Sequence, residues 1–210
     1  MKSESMWDKL ANNWDTPGVS LGENDIRIIE KTKKFINASD VVLDYGCATG
    51  SIAIEIAGIV KEAHGIDISS KMIDIARRKA DEHKIKNIDF RHATIFDENL
   101  KKESFDLILA LSILHLLENS PQIMNRINQL LKPGGLFISA SPCLGEKTFV
   151  STLISMPVFL LTKIRILPYI NFFSVPGLVA SITNENFEIV ENENLSVHPI
   201  TECFIVARKI

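Results

Sequence analysis

Cysteine is scarce in this chain. Its 210 residues hold three, Cys47, Cys143 and Cys203, odd in number and far apart. No C-x-x-C pair occurs, and no group of histidines and cysteines has the spacing of a zinc site. Free thiols in a reducing compartment are expected, with neither a disulfide framework nor a metal. A basic excess is also missing, since 23 Lys+Arg against 26 Asp+Glu give a formal net charge of -3. Bulk electrostatics therefore gives a nucleic-acid partner no support, and none is expected. Short basic clusters such as Arg77-Arg78-Lys79 fall in a helical stretch and read as a solvated face. Long uninterrupted apolar runs are lacking too. Residues 149–173 come nearest, but Lys163 and Arg165 sit inside them and Pro157 and Pro168 break them. A spanning helix needs about 20 consecutive apolar residues. Residues 1–10 are polar, without the apolar core of a secretory signal, so a cytoplasmic location is expected.

What is present is the composition of a globular fold, 46% hydrophobic and 23% charged, at a length suited to one domain. Short apolar runs alternate with helical patterns. Val41-Val42-Leu43 reads as a buried strand, and residues 51–60 follow as a helix with Ile52, Ile56 and Ile59 on one side. A second strand is expected at 62–67. The next helix opens on Ser69 or Ser70 as N-cap and carries Met72, Ile73, Ile75, Ala76 and Ala80 as its stripe. Strands are expected at 88–92, at 105–111 (nearly continuous apolar, hence covered on both faces) and at 136–140. Pro121 opens a helix that Lys132-Pro133-Gly134-Gly135 ends. A helix at 175–182 and strands at 187–192 and 203–208 complete the pattern. Such alternation predicts an α/β fold, a largely parallel sheet wound with helices on both faces. Ligands then bind beyond the carboxyl ends of the strands, where strand order reverses.

The loop after the first strand reads Asp44-Tyr45-Gly46-Cys47-Ala48-Thr49-Gly50. Its glycines let the backbone turn sharply and approach a ligand closely. A phosphate-cradling P-loop would end in lysine, whereas Gly50 is followed by Ser51 and Ile52. A dinucleotide fingerprint counted from Gly46 would need glycine at Ala48 and Ser51. Asp44 would also repel a pyrophosphate, while a carboxylate there suits a cationic ligand such as S-adenosylmethionine, with its ammonium and sulfonium. Asp67 ends the second strand, where an acid accepts hydrogen bonds from both ribose hydroxyls of an adenosine; it could instead merely cap the following helix.

Taken together, these residues resemble the class I S-adenosylmethionine-dependent methyltransferases, over roughly residues 40–141. The segment 43–50 resembles the family's first motif, with Ala48 where a middle glycine is commoner. Gly65-Ile66-Asp67-Ile68-Ser69 is similar to the ribose-binding segment, with Met72 where a residue packs on the adenine. Phe105-Asp106-Leu107-Ile108-Leu109 with Leu114-His115 resembles the fourth motif, and Leu131-Lys132-Pro133-Gly134-Gly135 the turn into the fifth strand. The resemblance implies a Rossmann-like, doubly wound seven-stranded sheet of order 3-2-1-4-5-7-6 with the last strand antiparallel. It implies cofactor contacts from Asp44, Gly46, Cys47, Ala48, Gly50, Asp67, Ile68, Met72 and Leu111. Where relatives place an acid for the adenine amino group, His92-Ala93-Thr94-Ile95-Phe96-Asp97 offers the Thr94 hydroxyl and the Ile95 backbone, with Asp97 as substitute.

Residues 6–15 resemble the lead-in helix of methyltransferases acting on quinones and other small molecules. There Trp14 would close over the methionine end of the cofactor; alternatively Trp7 and Trp14, seven apart on a helix, anchor it to the core. His115 is the candidate general base, or a locally hydrogen-bonded helix residue. His64 is expected in a strand, and His83 and His198 on the surface. The expected division is a helical cap (1–39), a cofactor-binding core (40–142), an acceptor lid (143–183) and C-terminal strands (184–210). The lid carries Phe149, Leu153, Met156, Phe159, Leu160, Tyr169, Phe172 and Phe173, an apolar wall for a small hydrophobic acceptor or a face packed on the core. Lys163 and Arg165 are candidates to meet anionic lipid head groups. Two other functions fit the same sheet: a nicotinamide-dependent oxidoreductase, and a non-catalytic cofactor-binding protein that engages a partner through its apolar lid.

Overall fold

A computed structural model describes residues 2–15, 23–145, 157, 160–162, 169–197 and 200–210. Each apolar run becomes a strand: β1 (Val41–Tyr45), β2 (Glu62–Asp67), β3 (Ile88–His92), β4 (Phe105–Leu111), β5 (Leu131–Cys143), β6 (Phe187–Val197) and β7 (Ile200–Lys209). They form one sheet of order β3-β2-β1-β4-β5-β7-β6, as the resemblance implied. The first five strands pair in parallel, and β7 runs antiparallel to both β5 and β6. The helices are α1 (Lys2–Ala11), α2 (Glu23–Lys33), α3 (Ser51–Ala57), α4 (Ser70–Glu82), α5 (Ser120–Leu130) and α6 (Val175–Thr183), with a 3-10 turn at Leu114–Leu116.

The two faces of the sheet follow from side-chain alternation along the strands. In β4, Ile108 and Ala110 meet Ile123, Met124 and Ile127 of α5 and Leu178 and Ile182 of α6. Leu107, Leu109 and Leu111 meet Ile28 of α2 and Ile56 of α3 on the other side. A third cluster joins Ala53 of α3, Ile73 and Ala76 of α4, and Phe90 of β3. Ser69 is the N-cap of α4, its hydroxyl accepting from Met72 N at 3.2 Å.

Several boundaries differ from the sequence pattern. Helix α3 stops at Ala57, so Ile59 leaves the stripe and is partly exposed. Lys132-Pro133-Gly134-Gly135 is absorbed into β5 as an irregularity: Phe105 pairs with Leu131 but Leu107 with Leu136, and Gly134 takes φ +74. Strands β6 and β7 extend to 11 and 10 residues because each pairs along the other's full length. Helix α1 ends at Ala11, so Trp7 and Trp14 are not two positions on one helix; a turn returns Trp14 to an edge-on contact with Trp7, ring centroids 6.0 Å apart.

The basic cluster is not simply a solvated face. Arg77 donates to the Phe90 carbonyl and Lys79 to the Ser51 hydroxyl at 2.7 Å, so both stitch α4 to its neighbours. His64 lies in β2, edge-on to Phe105, and His83 is the exposed C-cap of α4. Among the described residues, no helix is long and apolar enough to cross a membrane. Of the expected lid, Phe149, Leu153, Met156, Phe159, Lys163 and Arg165 lie outside the described residues, as does His198. Phe173 is buried, Phe172 partly so, and Leu160 and Tyr169 are exposed.

Candidate functional site

The parallel strands end at a common edge, and a cavity of about 530 Å³ opens there. At the tip of β1 the chain turns through Gly46 at φ +78, where a Cβ would fall 2.2 Å from Ile113 Cδ1. Only glycine fits. The turn is held by Gly46 N and Cys47 N, both donating to the Ile66 carbonyl. Ala48 also takes a positive φ, 46°, the conformation for which glycine is commoner. Gly50, at φ +78, is the N-cap of α3, and a Cβ there would lie 2.6 Å from Phe90 Cζ. Its part is packing: it does not line the cavity.

Two acids face this loop. Asp67, at the end of β2, accepts from Ser69 N at 2.8 Å and Ala48 N at 3.1 Å. It therefore ties the glycine loop to β2 and steadies the turn before α4, while its remaining lone pairs stay available. Asp44 is only 4% exposed, lines the cavity, and accepts no hydrogen bond from the described residues. Burial, and then the charge of Asp67, push its carboxyl up to about 7. Burial raises Asp67 as well, against the pull of its backbone donors. Burial and both carboxylates keep Cys47 a thiol.

The cavity gathers most of the expected residues. Trp14, Asp44, Gly46, Cys47, Ala48, Asp67, Ile68, Met72, Leu111 and His115 line it. Thr94 and Ile95 do not: Thr94 is exposed with its hydroxyl accepting from Phe96 N, and Ile95 is a core residue whose carbonyl accepts from Arg126. Asp97 caps its own turn through Asn99 N. His115, in the 3-10 turn, has a buried Nδ1 with no hydrogen-bond partner among the described residues. Burial drives its pKa down to about 4, so the ring is neutral. Among the described residues the ring makes no local hydrogen bond, the alternative reading.

Sequence reasoning missed the tethers of the N-terminal segment. Asp8 accepts from the Ser69 hydroxyl at 2.6 Å, and Asp15 from the Thr49 hydroxyl at 2.8 Å and from Lys79 Nζ at 3.3 Å. Together they lay residues 7–15 across the glycine loop, with Trp7 as a further wall. It also missed Asp25 and Ile28 of α2, because nothing local marks which turn of a helix faces a distant loop. Asp106, within the fourth-motif segment, serves the sheet: it accepts from Val41 N and Lys132 Nζ.

The donor set fits a sulfonium nucleoside. A buried carboxylate with no partner among the described residues calls for a cation, a second carboxylate one strand away can accept from a diol, and the Gly46 turn leaves the backbone open between them. Sheet order, glycine turn and paired acids define a class I nucleoside-binding α/β domain. A methyltransferase domain family model matches residues 36–169, and the chain belongs to that family. The ubiquinone biosynthesis O-methyltransferase of Roseobacter denitrificans is 29% identical over 113 residues, 54% of this chain and 45% of that protein. The uncharacterized methyltransferase YcgJ of Bacillus subtilis is 25% identical over 138 residues, 66% of this chain and 54% of the relative. This chain thus spans about half the length of these two curated relatives. The YcgJ crystal structure superposes with a TM-score of 0.73 at 16% identity, covering 88% of this chain and 98% of that one. The [4+2]-cyclase SpnF superposes at 0.78, also 16% identical, over 99% and 94% of the two chains. At that identity both structures speak for the fold alone.

Proposed function

We propose that this chain transfers the methyl group of S-adenosylmethionine to a small acceptor with a largely apolar body, by in-line displacement. The observation that carries the reading is Asp44, a buried carboxylate with no partner among the described residues, sharing one cavity with Asp67. Bound there, the cofactor supplies a methyl group already activated by its sulfonium. Asp67, fixed by Ala48 and Ser69, takes the ribose hydroxyls, and Asp44 faces the cationic methionine end. Ile68 and Met72 flank the adenine. Trp14 and Leu111 close the methionine end. The chain's remaining task is positioning, and well-oriented reactants gain roughly 7–11 kcal/mol from that alone.

His115 is neutral at working pH, has no partner at Nδ1 among the described residues, and borders the cavity. It takes the proton of an acceptor whose nucleophile carries one. Apolar walls from Ile28, Ile113, Leu116 and Leu117 support an apolar acceptor body. The division into a helical cap (1–39), core (40–142), lid (143–183) and C-terminal strands (184–210) belongs to the same proposal. A nicotinamide reading has no support in the family match. A non-catalytic binding protein is separated by experiment: cofactor with a labelled methyl group is incubated with a panel of apolar phenols, amines and thiols. Label is expected in at least one acceptor. Tight cofactor binding without transfer to any of them would overturn the reading in favour of the binding protein.

A further inference from the structure

The two ends of the cavity differ. Asp67, Ile68 and Met72 enter from β2 and α4, while Pro142 comes from the end of β5. In the order β2-β1-β4-β5 these ends are three strand spacings apart, roughly 14 Å. Asp44, at the tip of β1, lies between. A nucleoside held by Asp67 with its cationic end over Asp44 leaves the β4–β5 end for the acceptor.

That end carries a carboxylate of its own. Asp25, in the first turn of α2, lines the cavity together with Ile28, three residues on and thus on the same helix face. His115, Leu117 and Pro142 line the same cavity from the β4–β5 side. Nearby lies Glu202 of β7, 9% exposed and paired in register with Pro142. Its carboxylate accepts from the Asn24 amide, which ties the first turn of α2 to the sheet edge, and Ser112 of the loop after β4 helps to hold its pKa down. The charge of Asp25 reaches Glu202 and, after burial, helps to raise its carboxyl. Acidic groups therefore run the length of the cavity among apolar walls, where low polarizability strengthens their field. Asp44, buried and without a partner among the described residues, opens into the same space and shows that this space is built for positive charge.

We infer that the acceptor end selects an amphiphilic amine, its apolar body against Ile28, Leu117 and Pro142 and its protonated nitrogen on Asp25, and rejects acids of the same shape. The inference rests on the methyl-transfer reading and adds the acceptor's head group to it. Glu202 holds Asn24, the residue before Asp25.

The test titrates n-octylamine, n-octanol and octanoate into the protein saturated with S-adenosylhomocysteine, by calorimetry at pH 7.5, after recording the affinity for S-adenosylhomocysteine itself. Octylamine is expected to bind at least tenfold more tightly than octanoate, with octanol between. Asp25→Asn should erase that preference while S-adenosylhomocysteine affinity stays within twofold, and Asp25→Glu should restore part of it. Octanoate equal to octylamine, no binding of octylamine, or an Asp25→Asn loss confined to the cofactor step would each overturn the inference. Absence of heat from S-adenosylhomocysteine would instead strike at the methyl-transfer reading, and the acceptor inference would fall with it.

Discussion

Asp67 accepts from two backbone amides and keeps lone pairs for a ligand, so its loss removes both a tether and a contact. Asp67→Ala should weaken cofactor binding by about 1–3 kcal/mol, the value of charge-assisted hydrogen bonds. Unchanged affinity in a folded variant would remove its ribose role. Backbone strain gives a second prediction at this scale. Ala48 holds φ 46, a conformation that costs an L-residue roughly 1–2 kcal/mol. Ala48→Gly should therefore raise the urea midpoint, whereas Gly50→Ala, driven toward Phe90, should lose roughly 2 kcal/mol or more. His115 separates stability from activity. His115→Leu removes a buried polar atom that has no partner among the described residues, so thermal stability should hold or rise while turnover on a protic acceptor falls roughly 10²–10⁴-fold. Equal turnover would reduce His115 to a packing residue. The acids and the glycine turn were legible because a strand-end acid before a tight turn is a local pattern. Thr94 and Ile95 were less so, since that loop lacks the expected acid and its fold is set by Arg126 from α5.

Among the elements, α1 and the turn after it behave as a strap. Asp8 is bonded to the N-cap serine of α4 and Asp15 to the glycine loop, while Trp7 and Trp14 line the cavity beneath. These are the only two tryptophans in the chain, so their fluorescence should change on cofactor binding. Asp8→Ala with Asp15→Ala should speed cofactor release, read by stopped-flow in the same signal; identical release rates would show that the strap bears no load. The segment and Trp14 were marked by the family resemblance, but its two tethers were not, because the bonds join residues 61 and 34 positions apart. The helical stripes of α4 and α5 were legible for the opposite reason: their signal repeats every turn. The length of β6 and β7 and the irregularity at 132–135 depend on cross-strand register, which no local pattern records.

Across the whole molecule, the alternation of elements pointed to a parallel sheet and the family resemblance alone to its order, and the cavity lies where the strands end. Its charge gives a pH signature. Asp44 titrates near 7 in the folded chain against an ordinary value of 3.8, so the fold binds its proton more firmly than the unfolded chain does. That contribution favours the cofactor-free protein at low pH and is lost as pH rises through this window. His115 works oppositely, its contribution fading as pH falls from 6.5 toward 4. A cation held by ionised Asp44 should bind about tenfold more weakly at pH 6 than at pH 8, and Asp44→Asn should flatten that dependence. The most direct measurement is calorimetric titration of S-adenosylmethionine into the protein at pH 8. One-to-one binding in the micromolar range, weakened in both Asp44→Asn and Asp67→Ala, is the predicted result. No heat, or an affinity indifferent to both substitutions in folded protein, would contradict the account.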